Sequence, residues 1–292
     1  MDLIYKEIGE KISQITGEKV RIEERRSVGG GCINQGYKIS GSGKDYFIKL
    51  NQASSVEMFA AEALGLEQMF ETKTIRVPKP ICWGIAGNSS YLVLEWLEFA
   101  PANNHAWEEM GRKLAAMHKT PGAERFGWER HNTIGSTPQI NSWMDNWAGF
   151  FAEQRIGYQL KLARRRGGNF PEPDRIIELV RTILADITPQ PSLVHGDLWS
   201  GNAAVTAFGE PVILDPAVYY GDREVDIAMT ELFGGFPAAF YRGYNQVWQL
   251  EEGYQQRKTL YNLYHILNHF NLFGGGYSTQ ANRMIEQILK YQ

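Results

Sequence analysis

Cysteine is nearly missing from this 292-residue sequence: there are two, Cys32 and Cys82, with no Cys-x-x-Cys pair. That excludes a disulfide framework and the His/Cys spacing of a zinc site, and it suits a reducing compartment, so a cytoplasmic protein is expected. Long apolar runs are lacking too. Nothing approaches the ~20 residues needed to cross a bilayer. The N-terminal MDLIYKEIGEKISQITG places charges every few residues and has no apolar core of the signal-peptide kind. No membrane partner is expected. A basic excess is also absent: 30 Lys and Arg stand against 33 Asp and Glu, a net charge of −3. The one basic cluster, Arg164-Arg165-Arg166, runs into Gly167-Gly168 and reads as a solvated loop. No nucleic-acid partner is expected. Internal repeats and low-complexity tracts are missing as well.

What is present is a hydrophobic fraction of 43%, enough for a packed core, which excludes a disordered chain. The length fits one large domain or two modest lobes. Glycine is abundant, with 30 residues against the ~7% of an average chain, so its positions matter.

Apolar residues at Leu3, Ile4, Ile8, Ile12 and Ile15 predict a helix over 2–16. VRIEERRSV predicts a strand. YKIS and YFIKL predict two more, joined by a Gly41-Ser42-Gly43 turn. A helix is predicted over about 55–70, then strands at ICWGI and SYLVLEWL. The polar segment 98–105 reads as a linker. Beyond it helices are predicted over 106–118, 139–165, 173–186, 224–233, 237–249, 253–271 and 278–291, interrupted by a strand-rich stretch from Ser192 to Asp215. The expectation is an α+β fold of two lobes: a small β-rich lobe over 1–97 and a larger, mainly helical lobe over 98–292.

The strongest chemical signal is LVHGDLWSGNAAV followed by PVILDPA. Asp197, Asn202 and Asp215 are oxygen-bearing side chains on turns at strand ends. Such a set suits a carboxylate that takes a hydroxyl proton, beside an amide and a second carboxylate that hold Mg²⁺. The run Gly29-Gly30-Gly31-Cys32-Ile33-Asn34-Gln35-Gly36 is not a Walker A loop, because Tyr37 stands where Lys is required. Asn34 also breaks a G-x-G-x-x-G pattern, and no βαβ unit surrounds the run. It fits a flap whose small residues let backbone N–H groups approach phosphates, or a plain hairpin loop.

The order Asp197, Asn202, Asp215 resembles the catalytic loop and metal-binding Asp of the protein-kinase-like superfamily. Lys49 on a strand and Glu62 on the following helix match its phosphate-positioning pair. A protein kinase is excluded: Trp199 replaces the usual Lys two residues after the catalytic Asp, and Asp215-Pro216-Ala217 replaces D-F-G. GGGCINQGY, HGDLWSGN, DPAVYYGDREVDIAM, LFGGF and YHILNHFNLFGGGY together resemble the fructosamine kinase (ketosamine kinase) family over nearly the whole chain. The resemblance implies transfer of the ATP γ-phosphate to the third-carbon hydroxyl of ketosamines, free or on glycated proteins, after which the labile adduct releases its amine.

Carried onto this chain, the resemblance makes Asp197 the base and Asn202 and Asp215 the Mg²⁺ ligands. Lys49, Glu62 and the glycines Gly29, Gly30 and Gly31 would hold ATP, with the backbone of Leu94-Glu95-Trp96-Leu97 as the adenine hinge, Glu95 and Leu97 included. Trp199 offers a sugar platform or is ordinary packing, and the family block adds His269 and Asn271 to the substrate pocket. Asp226 and His195 are expected to support the catalytic loop. His265 and His269 are not a zinc pair, since Ile266 stands where Glu is needed. Cys32, inside the flap, is either inert or a redox-sensitive thiol, which leaves a monomer or a Cys32-linked homodimer open. The rivals are another small-molecule phosphotransferase, of the aminoglycoside or choline kinase type, and a nucleotide-binding pseudokinase.

Overall fold

The structure, a computed structural model, describes residues 3–29 and 33–290. Gly30, Gly31 and Cys32 of the expected flap lie outside the described residues. The chain opens with α1 (Leu3–Thr16), β1 (Glu24–Ser27), β2 (Gln35–Gly41), β3 (Lys44–Gln52), α2 (Val56–Glu71), β4 (Pro80–Ala86) and β5 (Ser89–Glu95). The five strands form one antiparallel sheet in the order β1-β2-β3-β5-β4. The β2–β3 turn is two residues, Ser42 and Gly43, with φ of 54° and 77°. Positive φ at both positions matches the twist of a hairpin.

Alternation along β3 decides where Lys49 goes. Tyr46 and Ile48 join Tyr5, Ile8 and Ile12 of α1 in a small core on one face of the sheet. Phe47 and Lys49 point to the other face, where α2 packs. Helix α2 closes the larger core instead: a Cβ on its Gly65 would lie 2.7 Å from the Val218 side chain.

The remainder is mainly helical: β6 (Phe99–Ala100), α3 (Asn104–Lys119), β7 (Asn132–Ile134), β8 (Thr137–Gln139), α4 (Trp147–Phe150), a π-helical stretch (Phe151–Gly157), α5 (Tyr158–Arg165), α6 (Pro173–Ile183), β9 (Ser192–Val194), β10 (Ala203–Thr206), β11 (Pro211–Ile213), β12 (Tyr219–Gly221), α7 (Glu224–Leu232), α8 (Ala238–Val247), α9 (Tyr254–Phe273) and α10 (Tyr277–Leu289). The fold is α+β, a five-stranded sheet followed by a mainly helical region, as expected. No helix among the described residues is long and apolar enough to cross a membrane.

Three details depart from the sequence reading. The helix expected over 139–165 begins at Trp147, because Asn146 caps it by accepting the Gly149 N–H at 2.7 Å. Gln139 ends the β7–β8 hairpin, which turns at Gly135 (φ 60°), and residues 140–146 are not helical. The strand expected over VRIEERRSV is confined to Glu24–Ser27. The expected linker carries β6, which pairs with β10 of the mainly helical region.

Helices α3 and α8 touch backbone to backbone through two glycines. A Cβ on Gly111 would overlap the Phe240 carbonyl, and one on Gly243 would overlap that of Glu108. Gly243→Ala should therefore destabilise the protein by about 2–3 kcal/mol in denaturant unfolding. Gly276→Ala, at an open site, should stay within about 0.5 kcal/mol of the parent. Equal effects of the two changes would contradict this packing.

Candidate functional site

Lys49 is 6% exposed, and its ammonium meets two carboxylates: Glu62 Oε1 at 2.6 Å and Asp215 Oδ1 at 2.5 Å. Burial opposes its charge, but Asp215 and Glu62 outweigh that and raise the pKa, so the ammonium is held protonated. One cation thus joins β3, α2 and the turn after β11. Asp215 itself sits at φ 54°, a left-handed conformation that Asp tolerates better than most side chains and that marks a constrained position.

The loop after β9 is built around a second buried carboxylate. Asp226, in the first turn of α7, accepts the backbone N–H groups of His195 (2.7 Å) and Gly196 (2.8 Å). His118 Nε2 lies 3.0 Å from Asp226 Oδ2, and its Nδ1 lies 2.8 Å from the Tyr244 hydroxyl. Burial alone would raise the Asp226 pKa; His118, His195 and the Gly196 N–H together hold it below its ordinary value. Gly196 has φ 81°, and a Cβ there would overlap the Ala217 carbonyl, so the position needs glycine twice over. His195 is kept neutral by burial. Its Nδ1 accepts the Asp197 N–H at 3.2 Å, which assigns the ring proton to Nε2, donated to the Leu214 carbonyl at 2.7 Å. His195 and Asp226 therefore support the loop, as the sequence reading expected of them.

Asp197 projects from that loop. Asn202 Nδ2 donates to the Asp197 backbone carbonyl at 2.8 Å, which leaves the side-chain oxygen Oδ1 of the buried Asn202 as its acceptor atom. Asn202 is also tied to the strand before Asp215, since its backbone carbonyl accepts the Leu214 N–H at 2.9 Å. Asn202 and Asp215 offer hard oxygen donors and leave further positions to phosphate oxygens and water, a donor set that fits Mg²⁺.

Beside the loop runs an aromatic wall. Trp199, 37% exposed, meets Phe233 edge-on with ring centres 6.5 Å apart. Phe233 lies 5.0 Å from His269, which lies 5.1 Å from Tyr277 and 5.7 Å from Phe273. Trp199 and His269 thus share one surface. Asn271 does not: it faces α5, donating to Gln159 Oε1 at 2.7 Å and the Gln159 carbonyl at 3.0 Å.

The Glu95 carboxylate is taken by Arg76 at 2.8 Å and the Lys79 N–H at 2.8 Å, and the Glu95 N–H donates to the Lys79 carbonyl at 2.9 Å, so its side chain is not available to a ligand. Leu97 follows the end of β5, half-buried. Gly29 is exposed at the flap's base, just past the Val28 N–H that donates to the Gly36 carbonyl at 3.0 Å. Sequence reasoning missed Phe233 and Tyr277 as wall residues and His118 as a loop support. It set His265 aside, although the four-residue spacing from His269 puts both on one face of α9.

Burial, then the Asp215 and Asp226 carboxylates, push Asp197 up to about 7 from an ordinary 3.8. A carboxyl that ionises later in the folded state adds stability at low pH, and that contribution is lost as pH rises through the folded pKa. Asp197→Asn removes this loss. The Tm of the variant relative to the parent should be near its smallest at about pH 4 and grow in the variant's favour up to about pH 8. A difference unchanged over that range would mean Asp197 titrates normally.

A sequence profile of the fructosamine kinase family matches residues 4–291. A Synechocystis protein named as a probable ketoamine kinase is 63% identical, with 98% of this chain and 97% of that one covered. The chloroplastic protein-ribulosamine 3-kinase of Arabidopsis thaliana is 44% identical over 94% of this chain and 85% of its own. A Haemophilus somnus crystal structure with the provisional name fructosamine-3-kinase superposes with a TM-score of 0.94 at 33% identity, covering 98% of both chains. A profile match of this extent, on a chain where Lys49 joins Glu62 to Asp215 and Asn202 is hydrogen-bonded to both Asp197 and Leu214, makes the protein a member of the fructosamine kinase family.

Proposed function

We propose that this chain transfers the γ-phosphoryl group of ATP to the C3 hydroxyl of ketosamines, the adducts of sugars with amines, on free amines or on proteins. The observation that carries the reading is the Lys49 ammonium bridging Glu62 and Asp215 beside Asp197. A pseudokinase has no need to keep that set assembled. Kinship over nearly the whole chain with ketoamine kinases favours this substrate class over aminoglycosides or choline.

In this reading residues 1–97 form the nucleotide lobe and 98–292 the catalytic lobe. Lys49, steadied by Glu62, holds the α- and β-phosphates. Gly29, Gly30 and Gly31 would offer backbone N–H groups to those phosphates, and the backbone of Glu95 and Leu97 would meet adenine. Asn202 and Asp215 would hold Mg²⁺, which when bound would neutralise charge on the phosphoryl oxygens. Asp197 accepts the hydroxyl proton as the hydroxyl oxygen attacks the γ-phosphorus and the bond to the bridging oxygen breaks, releasing ADP; its raised pKa makes it a stronger base than an ordinary Asp. The chemistry asks little covalent work of the protein; positioning supplies most of the effect. Trp199 and His269 give the sugar face and alkyl arm a flat apolar surface. Asn271 acts on the pocket only by fixing α9 against α5. The buried free thiol of Cys82 is at home in a reducing cytoplasm.

ATP consumption measured with a panel of fructosyl- and ribulosyl-amines tests this. Parent enzyme should turn them over, and Asp197→Asn should lose about a thousandfold or more. Asp197-dependent turnover confined to aminoglycosides or choline would install the rival. On ketosamines, Trp199→Ala should lower kcat/KM by about tenfold while the KM for ATP holds steady. A parallel loss of ATP affinity would mean that the indole serves packing.

A further inference from the structure

His265 has no part in the roles assigned above. It lies on α9 one turn before His269, is 4% exposed, and its Nδ1 has no hydrogen-bond partner. That orphaned nitrogen is 4.0 Å from Asp197 Oδ1, too far for a hydrogen bond. Nor is it half of an ion pair: burial, with the neighbouring His269, pushes the imidazole down to about 3, so the ring is neutral. A lone pair on Nδ1 would face the carboxylate lone pairs of Asp197, which places the single ring proton on Nδ1. A buried donor left open at the edge of the reacting site asks for an acceptor supplied by the ligand.

The pair Asp197 Oδ1 and His265 Nδ1–H is an acceptor and a donor 4.0 Å apart. A ketosamine carries the complementary pair on adjacent carbons: the C3 hydroxyl, which gives up a proton, and the C2 oxygen, which accepts one hydrogen bond. Oxygens on neighbouring carbons lie about a hydrogen bond apart, so together they span the gap with one bond at each end. A donor aimed at the attacking oxygen itself would occupy the lone pair that must reach phosphorus. Aimed at the neighbouring oxygen, it orients the sugar and leaves the nucleophile free.

We propose that His265 is a specificity-determining residue that donates its Nδ1–H to the C2 oxygen of the ketosamine while Asp197 takes the C3 hydroxyl. This rests on the ketosamine kinase reading and deepens it. It also separates ketosamines from choline, whose hydroxyl has no oxygen on the adjacent carbon.

The test compares a fructosyl-amine with its 2-deoxy counterpart, in which C2 is a methylene, using parent, His265→Ala and His265→Asn. Moving the parent to the 2-deoxy substrate should lower kcat/KM by about tenfold or more. His265→Ala should show a similar loss on the ketosamine and little further loss on the 2-deoxy compound. His265→Asn, whose amide nitrogen can stand close to the Nδ1 position, should recover most of the activity on the ketosamine. The KM for ATP should be the same in all three. If His265→Ala slows both substrates by one factor, or the parent treats them alike, the proposal is overturned while the ketosamine kinase reading stands. No turnover of any ketosamine by the parent overturns both.

Discussion

The site is organised by one buried ammonium. Taking a lysine out of water costs several kcal/mol unless carboxylates meet it, and the two that meet Lys49 come from different parts of the chain. Glu62 belongs to α2, which lies over the sheet; Asp215 belongs to the turn after β11, in the helical region. The relative setting of sheet and catalytic loop is thereby tied to a charge that neither could bury alone. Alternation along β3 makes this possible, since it sends Ile48 to the small core and Lys49 to the opposite face, against Glu62 and Asp215. Asp215 has a second demand on it: a metal bound with phosphate would draw on the same carboxylate, so the ion pair holds that ligand in place beforehand.

Two aspartates of the loop region, Asp226 buried and Asp197 partly buried, are shifted in opposite directions. Asp226 accepts two backbone N–H groups and is in contact with His118, so its charged form is favoured. Asp197 has only the long contact to Asn202 Nδ2 at 3.4 Å for its carboxylate, and two acidic neighbours, so its charged form is disfavoured. Environment divides the work between identical side chains. The well-paired carboxylate fixes the backbone, and the poorly paired one is left with the appetite for a proton.

Much of this was legible in the sequence because it rests on local order. The strand and helix patterns that place Lys49 and Glu62 have short periods, and HGDLWSGN sets Asp197 and Asn202 on a single turn. The helix start at Trp147 was not legible, because the apolar residues Ile140, Trp143 and Met144 upstream of it continue a helical spacing, and only the Asn146 cap sets its start. The aromatic wall was half legible. Trp199 and His269 stood out by motif, but Phe233 and Tyr277 join them only through the packing of α7, α9 and α10. Asn271 lies two residues from His269, about 200° around a helix of 3.6 residues per turn. One of the two had to face away from the wall, and it is Asn271 that meets Gln159.

Behind the site lies a buried cation of another kind. Arg155, in the π-helical stretch, is fully buried, and its guanidinium donates to the Ile140 carbonyl at 2.6 Å and to Asn141 Oδ1 at 2.7 Å. No carboxylate stands among these partners; the rings of Tyr219, Phe150 and Tyr264 surround it at 4.0, 4.6 and 5.6 Å. Aromatic faces stabilise a cation without cancelling its charge. Arg155 therefore still projects a positive potential, and it is one of the groups that lower the His265 pKa. A carboxylate partner in that place would remove this effect and add an acid to a region that already holds Asp197, Asp215 and Asp226. Three acids on one side and an uncancelled arginine on the other let a carboxylate with a raised pKa and a neutral histidine stand 4.0 Å apart, one ready to accept a proton and the other to donate a hydrogen bond.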